Sequence, residues 1–122
     1  MTLQPAIPTF RIFDYTLAKT FYCQWLGFSI DWEYHPMPTA PRFLQISRDK
    51  ALLHLSEHYG DGTPGSKVLI HVDDVKALHT ELQSRPNPNV NPSVVDAPWG
   101  ALIMEVTDPF GNRLCFNQDL AT

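Results

Sequence analysis

The sequence predicts an α+β fold: two tandem βαβββ modules, about residues 5–58 and 66–119 of a single 122-residue domain. Their strands form a curved, mostly antiparallel sheet around a cavity, with the helices outside. Three observations carry this reading. Both halves share one order of elements: strand, Asp, helix, three strands. The helix-opening residues Asp14 and Asp74 stand 60 positions apart, with His54 and Cys115 at nearly the same offset, as in a duplicated unit. Each half ends in a run of three adjacent strands, which pair as antiparallel neighbours and leave one face for the helix.

Ala6–Phe13 alternates as a strand does, but Pro8 removes a ladder donor and confines the segment to an edge, or to an arm that pairs elsewhere. Asp14 then offers an N-cap. Over Tyr15–Trp25 the apolar residues Leu17, Ala18, Phe21, Tyr22 and Trp25 fall at helical spacing, and Gly27 sits where a helix stops. Phe28, Ile30, Trp32 and Tyr34 alternate with Ser29, Asp31 and Glu33, which predicts a half-buried strand over Phe28–Tyr34. A Pro-rich loop, His35–Pro41, follows. Arg42–Ser47 and Ala51–Ser56 read as a hairpin around the Arg48-Asp49-Lys50 turn.

Glu57–Ser66, with Gly60, Gly62, Pro64 and Gly65, is the linker between modules. The pattern then restarts with a strand at Lys67–Val72, Asp73 and Asp74, a helix from Val75 to about Ser84, and a Pro/Asn-rich loop at Arg85–Pro92. A short strand around Val94 and Val95 leads to a second hairpin, Ala101–Val106 and Arg113–Asn117, about the turn Asp108-Pro109-Phe110-Gly111-Asn112. Pro109 presets φ, Gly111 tolerates positive φ, and the Asp108 and Asn112 side chains can bond the turn backbone. Pro98-Trp99-Gly100 sets a large aromatic at the entrance to this hairpin.

The apolar fraction of 43% and charged fraction of 18% suit a globular chain, and no apolar run approaches the roughly 20 residues of a membrane span. The N-terminus lacks the basic and apolar regions of a signal peptide, so the reading is a soluble cytoplasmic protein without a membrane partner. The formal charge of −4 disfavours nucleic acid, which needs a basic face, and favours neutral or cationic partners. Cys23 and Cys115 form no CxxC pattern and read as buried thiols.

Phe21-Tyr22-x-x-x-Leu26-Gly27-Phe28 and Asp108-Pro109-x-Gly111-Asn112, on a duplicated βαβββ unit, resemble the glyoxalase/bleomycin-resistance/dioxygenase group, the vicinal oxygen chelate superfamily. The resemblance runs from Ile7 to Asn117 and speaks to fold more than to reaction. Pro98-Trp99-Gly100, the Asp-Pro and Gly-Asn pairs and Phe116 are similar to the bleomycin-resistance proteins in particular, which are antibiotic-sequestering dimers. Pro8 suits their arrangement, in which an N-terminal arm crosses to the partner subunit.

Enzymes of the superfamily hold a divalent metal on His or Glu side chains from the first and last strands of each module, which donate lone pairs at neutral pH. Seven residues before each helix-opening Asp stand Ile7 and Lys67, neither a ligand. The last strands supply His54 and, where the enzymes commonly carry Glu, Cys115. The resemblance therefore implies a member with no metal and no cofactor. A displaced set using His54 and His71, which shares a strand face with Lys67, would be irregular; each His reads equally as a cavity-lining or surface hydrogen-bonding group. His35, His58 and His79 show no HxH or HExxH spacing, and no GxSxG, P-loop or Rossmann glycine pattern occurs.

A metal-free cavity takes its affinity from apolar walls and a few placed polar groups. Trp32, Tyr34, Phe43 and Trp99 are the candidate walls, with core packing the competing role for every aromatic. Glu105 and Glu33 are the candidates for pairing a cation, although a solvated strand carboxylate explains Glu105 as well. His54, Arg113 and Asn117 are candidate hydrogen-bonding groups, and Cys115 lies among them. The expected function is binding of a planar, cationic antibiotic of the bleomycin type by a homodimer, with the N-terminal strand available for exchange. The alternatives are a metal-dependent glyoxalase- or dioxygenase-like enzyme, and a metabolite-binding module.

Overall fold

The computed structural model describes residues 1–120. Its elements are β1 (Thr9–Arg11), α1 (Tyr15–Lys19) continuing as a π-helical segment (Thr20–Trp25), β2 (Ser29–Tyr34), β3 (Phe43–Arg48), β4 (Ala51–Ser56), β5 (Lys67–His71), α2 (Val75–Gln83), β6 (Val95–Ala97), β7 (Ala101–Thr107) and β8 (Arg113–Asp119). The βαβββ order thus occurs twice. The strands make two four-stranded sheets, β1-β4-β3-β2 and β5-β8-β7-β6, in which all neighbours are antiparallel except β1 with β4 and β5 with β8. No helix among the described residues is long and apolar enough to cross a membrane.

Local chemistry fixes the helix ends. Asp14 accepts from Leu17 N at 2.9 Å and Asp74 from Ala77 N at 3.0 Å, each satisfying a donor the first turn would leave free. Gly27, at φ +79°, ends the first helix in a conformation that costs other residues more. The expected strand over Ala6–Phe13 shortens to Thr9–Arg11. The reason is Pro8: its carbonyl accepts from His54 N at 2.9 Å, but it has no N–H to continue the ladder.

One apolar cluster serves both modules. Phe10 and Ile12, the helix residues Phe21, Tyr22 and Trp25, Leu44 and Ile46, Leu53 and Leu55, and Met104, Val106 and Leu114 all belong to it. The sheets thus press one face each against the helices and leave the other face open. Polar ties lock the modules. Tyr22 donates to Asp108 Oδ2 at 2.7 Å, and the buried Asn112 donates to Arg11 O at 2.8 Å. Asp108 also accepts from the backbone N–H groups of Phe110 and Asn112 at 2.8 Å each, so the turn is bonded by its own side chain as expected.

The alternation expected over Phe28–Tyr34 is interrupted. Ser29 pairs with Ser47 and Ile30 with Ile46, but Trp32 then pairs with Gln45, leaving Asp31 as an extra residue in a β-bulge. One additional residue reverses every side chain beyond it. Phe28 and Ile30 therefore face the core, whereas Trp32 and Tyr34 turn to the open face, 43% and 59% exposed.

Candidate functional site

The open face of the first sheet carries an aromatic corner. Trp32 and Phe43 stack at 5.8 Å with an interplanar angle of 22°. The His54 ring meets them edge-on at 5.4 and 5.1 Å. The sheet register places Tyr34 beside Phe43 on the same face. A polar chain adjoins this corner. His54 Nε2 lies 3.0 Å from Gln45 Oε1, and Gln45 Nε2 donates to Asp31 Oδ2 at 3.0 Å, so Nε2 is the protonated nitrogen of the imidazole. Ser47 donates to Asp31 Oδ1 at 2.8 Å. Hydrogen bonds from Gln45 and then Ser47 hold the Asp31 carboxyl below the usual range, and Asp31 joins none of the ion pairs among the described residues.

The open face of the second sheet is built from β5, β7 and β8. Register aligns Lys67 with Arg113 and Thr107, Leu69 with Cys115 and Glu105, and His71 with Asn117 and Ile103. Glu105 reaches Lys67 Nζ at 3.1 Å and Arg113 Nη1 at 3.5 Å. Beside it Cys115 is 1% exposed although it lies on the open face, and burial pushes its thiol up. Trp99, 57% exposed, donates from Nε1 to Asn117 Oδ1 at 2.8 Å, which pins its indole to β8. Asn117 in turn donates to Asp119 at 2.8 Å.

The expected site residues thus fall into two groups. Trp32, Tyr34, Phe43 and His54 gather on the first sheet, and Trp99, Glu105, Arg113, Cys115 and Asn117 on the second. Among the described residues, no hydrogen bond, ion pair or ring contact joins the two groups. Two expectations change. Glu33, one residue past Trp32, faces the helix side, accepting from Tyr15 OH and lying 3.6 Å from Arg42; the bulge is the cause. Glu105 projects to the open face as alternation required, but Lys67 and Arg113 of this chain already neutralise it. Asp31, Gln45, Ser47 and Leu69 are further residues of these two faces, beyond those expected from the sequence. The alternation of Phe43, Gln45 and Ser47 against Leu44 and Ile46 was the available signal for two of them.

The register tests a metal centre position by position. His54 lies beside Thr9 on the parallel pair of the first sheet, and Cys115 beside Leu69 on that of the second. Ile7 precedes β1, and Lys67 neighbours Arg113. His54 is bonded to Gln45, and Cys115 is a protonated thiol next to an ammonium, while Leu69 has no donor. No group of three or more His, Cys, Asp or Glu suited to a metal ion occurs among the described residues. The donor set does not fit the superfamily's divalent cation.

A cavity of about 760 Å³ lies elsewhere, where the β3–β4 turn meets the start of α2. Leu26, Phe28, Ile70 and Phe116 line it, with Arg48 and Asp74 at its polar wall. The geometry assembles the candidate chemistry on the open sheet faces instead.

Two βαβββ modules on one shared core, each offering an uncovered sheet face, define the scaffold of the glyoxalase and bleomycin-resistance proteins. The chain belongs to that superfamily: the family described as "Glyoxalase superfamily protein" matches residues 1–121. No curated protein matches the sequence. Among solved structures, it is similar to a bleomycin-binding protein complexed with bleomycin, at 19% identity and a TM-score of 0.73, over 97% of this chain and 100% of that one. It is also similar to the bleomycin-binding protein of bleomycin-producing Streptomyces verticillus complexed with copper(II)-bleomycin, at 25% identity and a TM-score of 0.71, over 100% of this chain and 99% of that one. A third, TnmS3, an antibiotic-binding protein from Streptomyces sp. CB03234, has 25% identity and a TM-score of 0.68, over 98% of this chain and 100% of that one.

Proposed function

We propose that this chain binds and sequesters a planar antibiotic of the bleomycin type, without a metal of its own and without chemical change to the ligand. The observation that carries this reading is the corner of Trp32, Phe43 and His54, held in a fixed mutual geometry on a sheet face left open among the described residues. Two flat rings presented to solvent cost apolar exposure, and stacking a planar guest on them recovers it, with roughly 0.5–1.5 kcal/mol beyond area burial. Asp31 beside Trp32 supplies an unpaired carboxylate for a cationic group of the guest. The antibiotic-binding proteins of similar fold support the same class of ligand.

The clefts are completed by a second copy. Trp32, Tyr34, Leu52, Leu69, Val95 and Trp99 are all exposed large apolar side chains on or beside the open faces, more than one surface normally leaves to water. The arm before Thr9 is mostly exposed and is available for exchange.

Titration of intrinsic Trp fluorescence with metal-free and copper-loaded bleomycin tests the reading. A saturable change is expected in the native protein, with affinity lowered about tenfold or more in Trp32→Ala and in Trp99→Ala. No change in the native protein overturns the proposed ligand, and stoichiometric divalent metal in the purified protein overturns the metal-free reading. Light scattering should give the mass of a dimer.

A further inference from the structure

We propose that the open face of the second sheet is an anion-recognition subsite, in which Lys67 and Arg113 take a carboxylate or similar oxyacid group of an aromatic ligand. The inference rests on the ligand-binding reading above and deepens it: the guest carries an acidic group, held at Lys67 and Arg113.

The argument is one of unspent donors. Arg48, which ties the two modules together, spends its donors on three hydrogen bonds. Arg48 gives Nη1 to Leu26 O at 2.7 Å and reaches both carboxylate oxygens of Glu81, at 2.9 and 2.7 Å. On the second sheet the accounting differs. Lys67 and Arg113 share a single carboxylate, Glu105, at 3.1 and 3.5 Å, and neither side chain makes any other hydrogen bond or ion pair among the described residues. An ammonium has three donors and a guanidinium five, so most remain free. Both side chains are 44% exposed on the open face.

Charge points the same way. Two cations against one carboxylate leave this end of the face positive, while the acidic Asp119 lies at the other end, 3.6 Å from His71. Between them lies the row of Leu69, Cys115 and Glu105: Leu69 and the buried Cys115 supply its apolar part, and the Glu105 carboxylate is the group that Lys67 and Arg113 already share. From the Lys67–Arg113 row to the Asn117 row that holds Trp99 is four residues of strand, about 13 Å. That span suits a guest of two or three fused rings lying over Leu69 towards Trp99, with its acid at Lys67 and Arg113.

Acridine-9-carboxylate and acridine-9-carboxamide, titrated at low and high salt, provide the test. Native protein is expected to bind the carboxylate about tenfold or more tightly than the amide, less so at high salt. Lys67→Gln/Arg113→Gln should erase that preference while leaving the melting temperature and the affinity for the carboxamide unchanged; Glu105→Gln should preserve or increase it. Equal affinity for the two acridines in the native protein, a preference that survives the double substitution, or no binding of either acridine overturns the subsite. Should the carboxylate preference hold while bleomycin fails to bind, the subsite stands and the antibiotic reading falls.

Discussion

Replacing Glu81 with Gln should loosen the junction between modules by a calculable and pH-dependent amount. Glu81 lies on α2 and accepts two bonds from Arg48 and one from Arg85 Nη2 at 2.5 Å. Those guanidinium groups also donate to Leu26 O at 2.7 Å and Trp25 O at 2.8 Å, capping the end of the first helix, Arg48 from its own module and Arg85 from the other. Hydrogen bonding from Arg48, opposed by burial and helped by Arg85, draws the Glu81 carboxyl down from 4.5 to about 2. At roughly 1.4 kcal/mol per pH unit this is about 3 kcal/mol at most. The side chain is 35% exposed, so solvent screening leaves about 1–2 kcal/mol. Because the folded value lies below the unfolded one, the contribution is complete above pH 4.5 and fades as pH falls towards about 2. Urea unfolding of native protein and Glu81→Gln should therefore differ by about 1–2 kcal/mol at pH 7, with the gap shrinking between pH 5 and pH 3. A gap that stays constant across that range would refute the ionic origin, and no gap would refute the clamp.

Tyr22→Phe removes the buried donor to Asp108 and should cost about 1–2 kcal/mol in the same assay, without changing bleomycin affinity, since Tyr22 is far from either open face in the packing order. Burial, and secondarily Asp108, holds the Tyr22 hydroxyl well above its ordinary value, so the native protein should show no Tyr22 ionisation below pH 10 by absorbance. In Cys23→Ser protein, Cys115 should react with a thiol reagent at pH 8 only on unfolding, because burial both covers it and raises its thiol. Rapid labelling of folded protein would refute the placement of Cys115 beneath the Lys67–Glu105 pair.

What could be read from the sequence was what neighbouring residues decide among themselves. Asp14 and Asp74 cap the helices they precede, and Asp108, Gly111 and Asn112 make their turn, because in each case the partner groups lie within four residues. The bulge at Asp31 lay outside that reach. Nothing in Ser29–Tyr34 announces it; the extra residue exists only relative to the consecutive Gln45 and Ile46 of the partner strand. The same holds for Glu105, whose projection followed from alternation but whose neutralisation depends on residues 38 positions before it and eight after it in the chain, at Lys67 and Arg113. The first helix covers the span its apolar spacing predicts, Tyr15–Trp25, but its winding changes at Thr20, just before Phe21, Tyr22 and Trp25 enter the shared core, which no local pattern signals.

The bulge also explains how one sheet meets two opposed demands. Phe28 and Ile30 must point inward to close the core around Tyr22, 6.3 Å from Phe28 in an edge contact. A regular strand would then send Trp32 and Tyr34 inward too, leaving the open face with Asp31 and Glu33 and no aromatic wall. Inserting Asp31 between two registers lets the first half of β2 serve stability and the second half serve the face. The inserted residue is not idle, since Gln45 and Ser47 bond its carboxylate beside Trp32. The corner of rings and the adjoining anion thus have a single structural origin, and a change that regularised β2 would remove both together.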